Sequence, residues 1–210
     1  MNFPANSSVA RVHAVRMGEM AASKSPDDLL RIVGLGSCVA LVLLARERRA
    51  VAMAHIVLPE SQMAGGREAP PAKFADTAVP AMLEALRSLR VKPGDLDAVV
   101  VGGAMMFGTR PGSKLAGVGD RNVNAVLEVL ERHGIPVTGQ DVGGKKGRSI
   151  QVSVGECRVF TKSGLEELLE VGGPPLQNAD EGLRRIGVRP VLEPFPDAIW
   201  TSPAEGGVRA

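Results

Sequence analysis

The 210-residue chain is poor in aromatic side chains, in cysteine and in charge of one sign, and each shortage excludes a class of protein. Aromatics are 3% of the residues, so aliphatic side chains must build the core, and stacking platforms for single-stranded nucleic acid are not expected. The two cysteines lie 119 positions apart without a CxxC spacing, which argues against a zinc site and against a disulfide framework. A net charge of +2 is too small to indicate a nucleic-acid partner.

Long apolar runs and binding motifs are also missing. No apolar stretch reaches the roughly 18 residues of a membrane-spanning helix, and the N-terminus lacks the basic and apolar regions of a secretory signal. We therefore expect a cytoplasmic protein without membrane insertion. Neither a GxSxG elbow nor a P-loop occurs, and Gly34–Val39 departs from a dinucleotide-binding loop because valine stands where the last glycine is needed. No cofactor and no metal site are predicted.

The patterns that are present indicate one folded domain and a tail. Strand-like and helix-like segments alternate along residues 8–165, which predicts an α/β fold with a mixed β-sheet layered with helices. Thr77 is the predicted N-cap of a first helix, with Pro80 in its first turn, and Arg121–His133 is a second predicted helix. Residues 166–210 are rich in proline and glycine and are predicted to form a disordered tail.

A predicted hairpin brings a thiol and an imidazole onto neighbouring strands. The strands are Val39–Ala45 and Ala50–Leu58, joined by a polar turn. If the turn is centred between the strands, the residue numbers of two cross-strand partners add up to about 95, so Ala40 lies opposite His55. Cys38 is two residues before Ala40, so Cys38 and His55 share a face as diagonal neighbours. Diagonal α-carbons are about 7–8 Å apart, which an imidazole can span. A one-residue slip would place the two side chains on opposite faces.

A cysteine beside a histidine provides the nucleophile and the base of a cysteine hydrolase. The imidazole can hold the thiolate as an ion pair, and backbone N–H groups around Gly36, Ser37 and Cys38 can stabilise an oxyanion. The alternative is that Cys38 is a small core residue and His55 a buried histidine with satisfied hydrogen bonds. The spacing alone leaves both interpretations open.

Other candidate residues have simpler explanations. The run Gly143–Arg148 can cradle a phosphate or form a solvated approach to a hairpin, and the second is favoured. Cys157 is expected to be structural, because it lies in a hairpin strand. His13 and His133 are expected at the surface, and His133 lies at a predicted helix C-terminus, which favours its charged form.

The hairpin belongs to a series of ordered blocks that resembles the CheD family of chemoreceptor glutamine deamidases. The resemblance runs from about residue 11 to residue 162 and leaves out the tail. The blocks are Gly34-Leu-Gly36-Ser-Cys38-Val-Ala, Met53-Ala-His55-Ile-Val-Leu-Pro59, Lys73-Phe-Ala-Asp76-Thr77-Ala-Val, Gly102-Gly103-Ala-Met-Met-Phe107, Gly119-Asp-Arg121-Asn122-Val, and Asp141-Val-Gly143-Gly144 with Gly147-Arg148.

This resemblance implies a cysteine hydrolase that deamidates glutamines of methyl-accepting chemotaxis receptors, with Cys38 as nucleophile and His55 as general base. It implies an α/β/α layered fold similar to the catalytic domain of Rho-deamidating bacterial toxins. It also implies a CheC-type phosphatase as a possible partner that competes with the receptor, and Phe107 matches a position near the surface of this chain that would bind it.

One position departs from the family pattern. Family members usually carry a threonine six residues before the cysteine, where this chain has Ile32. Isoleucine cannot accept a hydrogen bond from an imidazole, so another group must orient His55, and a backbone carbonyl is one candidate. The alternative is a non-catalytic or weakly catalytic chemotaxis adaptor that binds receptors or the phosphatase.

Overall fold

The computed structural model describes residues 10–105, 117–164 and 168–172, and within them ten strands form two five-stranded sheets. The strands of the first sheet are, in spatial order, β1 (Arg11–Ala14), β3 (Asp28–Leu35), β8 (Arg148–Ser153), β9 (Arg158–Lys162) and β10 (Leu169–Val171). Those of the second sheet are β2 (Met20–Ser23), β5 (Ala50–Ile56), β4 (Val39–Ala45), β6 (Asp97–Gly102) and β7 (Val137–Val142). Both sheets are mixed, because β1–β3 and β6–β7 pair in parallel and the other neighbours are antiparallel.

The two described helices, α1 (Ala75–Ser88) and α2 (Val118–Arg132), both pack on one face of the second sheet. The other face of that sheet packs against the first sheet. Every residue of the central strands β4 and β5 is therefore buried, which explains why both are almost wholly apolar in sequence. The predicted α/β class, with mixed sheets layered with helices, is confirmed.

The order of the layers differs from the α/β/α arrangement that the family resemblance implied. The layers run sheet, sheet, helices, because the inner side chains of the first sheet occupy the face that a second helical layer would cover. Leu30 and Ile32 of β3 and Ile150 of β8 lie there in one buried cluster with Val42 of β4. A helical layer on the far side of the second sheet would leave these apolar side chains without a partner.

The hairpin of β4 and β5 has the predicted register. Ala40 lies opposite His55 and Val39 opposite Ile56, so partner numbers sum to 95. The intervening turn is a single 3₁₀ turn, Arg46–Arg48, followed by Arg49 in the left-handed region. Cys38, which directly precedes β4, packs against the cluster between the two sheets, on the face that His55 also occupies by strand parity.

The start of α1 was predicted wrongly. The helix begins at Ala75, and Thr77 is its third residue rather than its N-cap. The Thr77 hydroxyl donates a hydrogen bond to the Pro71 carbonyl, in the turn that precedes the helix. Pro80 consequently lies beyond the first turn, where its missing N–H leaves the Asp76 carbonyl without a helical donor.

Two glycines allow the end of β6 to approach both the segment that contains Cys38 and the first turn of α2. Gly102, at the end of β6, has a φ of 116°, and a Cβ there would collide with the Cys38 carbonyl oxygen. A Cβ on Gly119, in the first turn of α2, would collide with the backbone of Gly103. Larger residues at these positions would push the end of β6 away from the Cys38 segment and from α2.

The folded region extends past the predicted boundary at residue 165. Strand β10 pairs with β9, with Val171 opposite Val159, so residues 168–172 complete the first sheet and are not part of a tail. The prediction of disorder for 173–210 concerns residues outside the described ranges. No helix in the described part of the chain is both long and apolar enough to cross a membrane.

Candidate active site

The backbone around Cys38 is fixed by the end of β6. Gly103 N–H donates to the Cys38 carbonyl at 2.8 Å, and Ala104 N–H donates to the Gly36 carbonyl at 2.8 Å. Cys38 itself is half-buried and is not in a disulfide. The thiol therefore lies on a short segment that is anchored on both sides and remains partly open to solvent.

His55 lies in β5 and is held mainly by backbone groups. Its own N–H donates to the Glu19 carbonyl at 2.9 Å, and its carbonyl accepts from Gly18 N–H at 2.9 Å. Its ring Nδ1 is 3.4 Å from the Val15 carbonyl oxygen. That contact favours the tautomer with the proton on Nδ1, which leaves Nε2 unprotonated and able to accept a proton.

The second ring nitrogen of His55 is buried without a partner. The residue is only 4% exposed, and Nε2 has no hydrogen bond to any described residue. A buried polar atom without a partner destabilises the fold, so such an atom is often found where function requires it. His55 is therefore not a core histidine with satisfied hydrogen bonds, which was the simpler interpretation of its sequence position.

The Val15 carbonyl occupies the role that the sequence left open. Ile32, where the family usually has threonine, is 1% exposed and packs between the sheets opposite Ile150. It offers no acceptor to His55. The Val15 carbonyl, in the segment between β1 and β2, is the acceptor for His55 instead. A backbone carbonyl was the replacement suggested by the sequence.

Burial favours the neutral form of both candidate groups. It raises the pKa of the Cys38 thiol, because a thiolate loses solvation there. Burial also lowers the pKa of His55, against smaller opposing effects of the Val15 carbonyl and the Glu19 carboxylate. Both shifts favour a thiol and a neutral imidazole over the ion pair that a cysteine beside a histidine can form.

The peptide between Ser37 and Cys38 points its carbonyl toward α2. Asn122 Nδ2 donates to the Ser37 carbonyl at 2.9 Å. Because a trans peptide is planar, the Cys38 N–H points the opposite way. No described residue accepts a hydrogen bond from this N–H. The predicted role of Gly36 and Ser37 in oxyanion binding stays a prediction.

Asn122 belongs to one of the sequence blocks that resemble the family, but the sequence alone predicted no role for it. It is fully buried in α2, on the same stripe as Val126 and Val129. A polar residue four and seven positions before apolar core residues is unusual on such a stripe. A polar residue at an apolar position of the helix was the sequence feature that could have identified Asn122.

The remaining candidates lie away from this chemistry or outside the described residues. Arg148, at the end of the loop 143–148, donates to the Asp141 carboxylate and the Gly143 carbonyl, both at 2.7 Å, so the loop's arginine stabilises the loop itself. Cys157 is buried, as expected of a structural residue. His13 and His133 are at the surface, as predicted. Phe107 lies outside the described residues.

Comparison with known proteins gives a consistent set of relatives. The family model described as CheD chemotactic sensory transduction matches residues 57–163. A protein of Symbiobacterium thermophilum named "Probable chemoreceptor glutamine deamidase CheD" is 40% identical, over 73% of this chain and 93% of that protein. A Methanococcus vannielii protein of the same name is 38% identical, over 72% of this chain and 95% of its own length. The "Chemoreceptor glutamine deamidase CheD" of Thermotoga maritima is 37% identical, over 75% of this chain and 96% of its length.

Solved structures resemble this chain only distantly. The crystal structure of YlmD from Geobacillus stearothermophilus covers 61% of this chain and 58% of its own chain, with a TM-score of 0.36 and 13% sequence identity. Nothing about the site follows from a similarity at that level.

Proposed function

The chain belongs to the CheD family, and we propose that it deamidates glutamine side chains of chemoreceptors, with Cys38 as nucleophile and His55 as general base. The observation that carries the proposal is the state of His55. Its Nδ1 is held by a backbone carbonyl, and its Nε2 is buried and unpaired. The hairpin register puts this imidazole on the same face as the Cys38 thiol.

The first half of the reaction forms a thioester. Since both groups are neutral at rest, the Cys38 thiol transfers its proton to His55 Nε2 as the sulfur attacks the side-chain amide carbon of glutamine. The amide oxygen becomes an oxyanion, which the Cys38 N–H can stabilise. The His55 imidazolium then donates its proton to the amide nitrogen, the C–N bond breaks and ammonia leaves.

The second half hydrolyses the thioester. His55, neutral again, takes a proton from a water molecule that attacks the thioester carbon. Collapse of this intermediate breaks the C–S bond, and the imidazolium returns the proton to the sulfur. The product is a glutamate side chain, and the resting thiol and imidazole are restored.

Mass spectrometry of a receptor cytoplasmic fragment tests the proposal. We expect incubation with the protein to add about 1 Da for each glutamine converted, because an NH₂ group is replaced by OH. Cys38→Ala should abolish the gain. An unchanged mass with the wild-type protein, together with retained receptor binding, would instead support the adaptor alternative.

A CheC-type phosphatase as a second partner stays a prediction from the family resemblance. Titration calorimetry with such a phosphatase checks it, with Phe107→Ala expected to weaken binding and Met63→Ala, an exposed change elsewhere, expected to leave it unchanged. Equal binding by the Phe107→Ala variant and the wild type would contradict the assignment of Phe107 to that surface.

A further inference from the structure

We infer that Asn122 is a positioning residue of this site, whose side-chain amide holds the Cys38 segment against the strand of His55. This role rests on the deamidase function proposed above. Asn122 is fully buried, so it does not touch the substrate and acts through the backbone that it binds.

Asn122 bridges the two strands where their own pairing stops. The ladder of β4 and β5 ends at the pair Val39 and Ile56. Beyond it, the Val57 N–H turns away and donates to the Lys73 carbonyl at 2.9 Å. Asn122 Nδ2 donates to the Ser37 carbonyl and to the Val57 carbonyl, both at 2.9 Å. One amide group therefore replaces the hydrogen bonds that the ladder no longer provides.

The orientation of the amide follows from its partners. Both acceptors are carbonyl oxygens, so only the NH₂ group can face them, and it uses both of its hydrogens. The reversed orientation would place the amide oxygen against two other oxygens. An aspartate has the same shape but carries an oxygen in place of the NH₂ group, so it would also place an oxygen against the two carbonyl oxygens. The bridge therefore depends on the NH₂ group.

The bridge controls two features of the proposed reaction. By holding the Ser37 carbonyl, Asn122 fixes the peptide plane and with it the direction of the Cys38 N–H, the oxyanion donor. By holding the Val57 carbonyl, it fixes the strand two residues after His55. The nucleophile, its oxyanion donor and the base are thereby tied to one rigid point in α2.

The amide oxygen of Asn122 lowers the stability of the fold, because it is buried without a hydrogen-bond partner. Together with His55 Nε2, Asn122 Oδ1 is one of the two buried side-chain polar atoms of the described residues that lack a hydrogen-bond partner. Both atoms belong to residues around Cys38. An unpaired buried oxygen lowers stability, so a residue that only filled space here would be expected to be apolar.

Steady-state kinetics of Asn122→Ala test this role, with Asn124→Ala as the matched control. Asn124 is on the same helix but exposed. We expect Asn122→Ala to lower kcat for receptor deamidation by about 10- to 100-fold with little change in KM, because reacting groups are misplaced while the binding surface is kept. Asn122→Asp should be impaired at least as strongly, and Asn124→Ala should match the wild type.

Two measurements distinguish a positioning role of Asn122 from an effect on folding and from failure of the proposed deamidase function. Urea unfolding establishes that each variant is folded under assay conditions. The alkylation rate of Cys38 by iodoacetamide, measured against pH, reports its surroundings without any receptor, and we expect Asn122→Ala but not Asn124→Ala to change it. A folded Asn122→Ala protein with wild-type kcat and alkylation profile would overturn the inference. A wild-type protein that fails to deamidate overturns the proposed function, whereas a change in alkylation would still support the positioning of Cys38.

Discussion

The two cysteines of this chain lie in similar backbone positions and in different chemical surroundings. Each directly precedes a strand, Cys38 before β4 and Cys157 before β9. Burial raises the pKa of both thiols. Cys38, however, is partly open to solvent and shares a face with His55, whereas Cys157 is 3% exposed and its Sγ donates to the Val154 carbonyl at 3.5 Å.

The direction of the pKa shift is the same for both thiols, so it does not distinguish the proposed nucleophile, Cys38, from Cys157. Desolvation acts on both thiols in the same direction, and it would leave both inert without a base. What separates them is the histidine that shares a face with Cys38 and the partial exposure of Cys38 to solvent. The predictions below test that distinction.

The largest expected difference is between removal of one thiol and removal of the other. Cys38→Ala should lower the deamidation rate by at least about 10³-fold, because no other described group replaces the nucleophile. Cys157→Ala should keep the rate within about 3-fold and lower the free energy of unfolding by about 1 kcal/mol through lost packing. Mass spectrometry and urea unfolding measure the two effects, and similar activity losses in both variants would remove the distinction.

Removal of the base should have the next largest effect. His55→Gln is expected to lower kcat by about 10²- to 10⁴-fold, since the Cys38 proton then has no acceptor. His133→Gln, an exposed histidine at the end of α2, is the control and should behave as the wild type. If the two substitutions had equal effects, His55 would be no more than a buried core residue.

The pH dependence distinguishes a neutral pair from an ion pair. A general base must be unprotonated, and the lowered pKa of His55 puts the acid limb of kcat/KM below about pH 6.5. The raised pKa of Cys38 predicts that its alkylation without substrate keeps increasing above pH 8.5 or so. Iodoacetamide trapping with peptide mapping measures both thiols. A plateau of Cys38 alkylation below pH 7 would contradict this and indicate a resting ion pair.

The smallest expected effect concerns the acceptor for His55. Ile32→Thr adds a hydroxyl where the family usually has one, and we expect activity about 2- to 5-fold above that of Ile32→Val, its match in shape. Both substitutions shorten a buried side chain, so the pair isolates the hydroxyl. Equal or lower activity of the threonine variant would contradict this prediction and show that the added hydroxyl does not help the Val15 carbonyl to orient His55.

Much of the hairpin could be predicted because its signals are local. The apolar strands and the polar turn between them determine the register, and the register determines which side chains share a face. The helix start at Ala75 was missed since Thr77 has the side chain of a cap but lies inside the helix, where its hydroxyl finds the Pro71 carbonyl. Strand β10 was missed because three residues show no period.

The sequence by itself predicted that Cys38 and His55 share a face of a hairpin if the turn is centred between its strands, because side chains alternate along a strand. It also identified the missing threonine at position 32. Only the tertiary structure decided which group replaces the threonine as the acceptor for His55 and which side chain holds the Cys38 segment in place. The Val15 carbonyl and the Asn122 amide reach the hairpin from other segments of the fold. A polar residue on an apolar helix stripe marks Asn122 as unusual, but the partners of such a side chain, and a hydrogen bond from a backbone carbonyl, are not encoded in any local pattern.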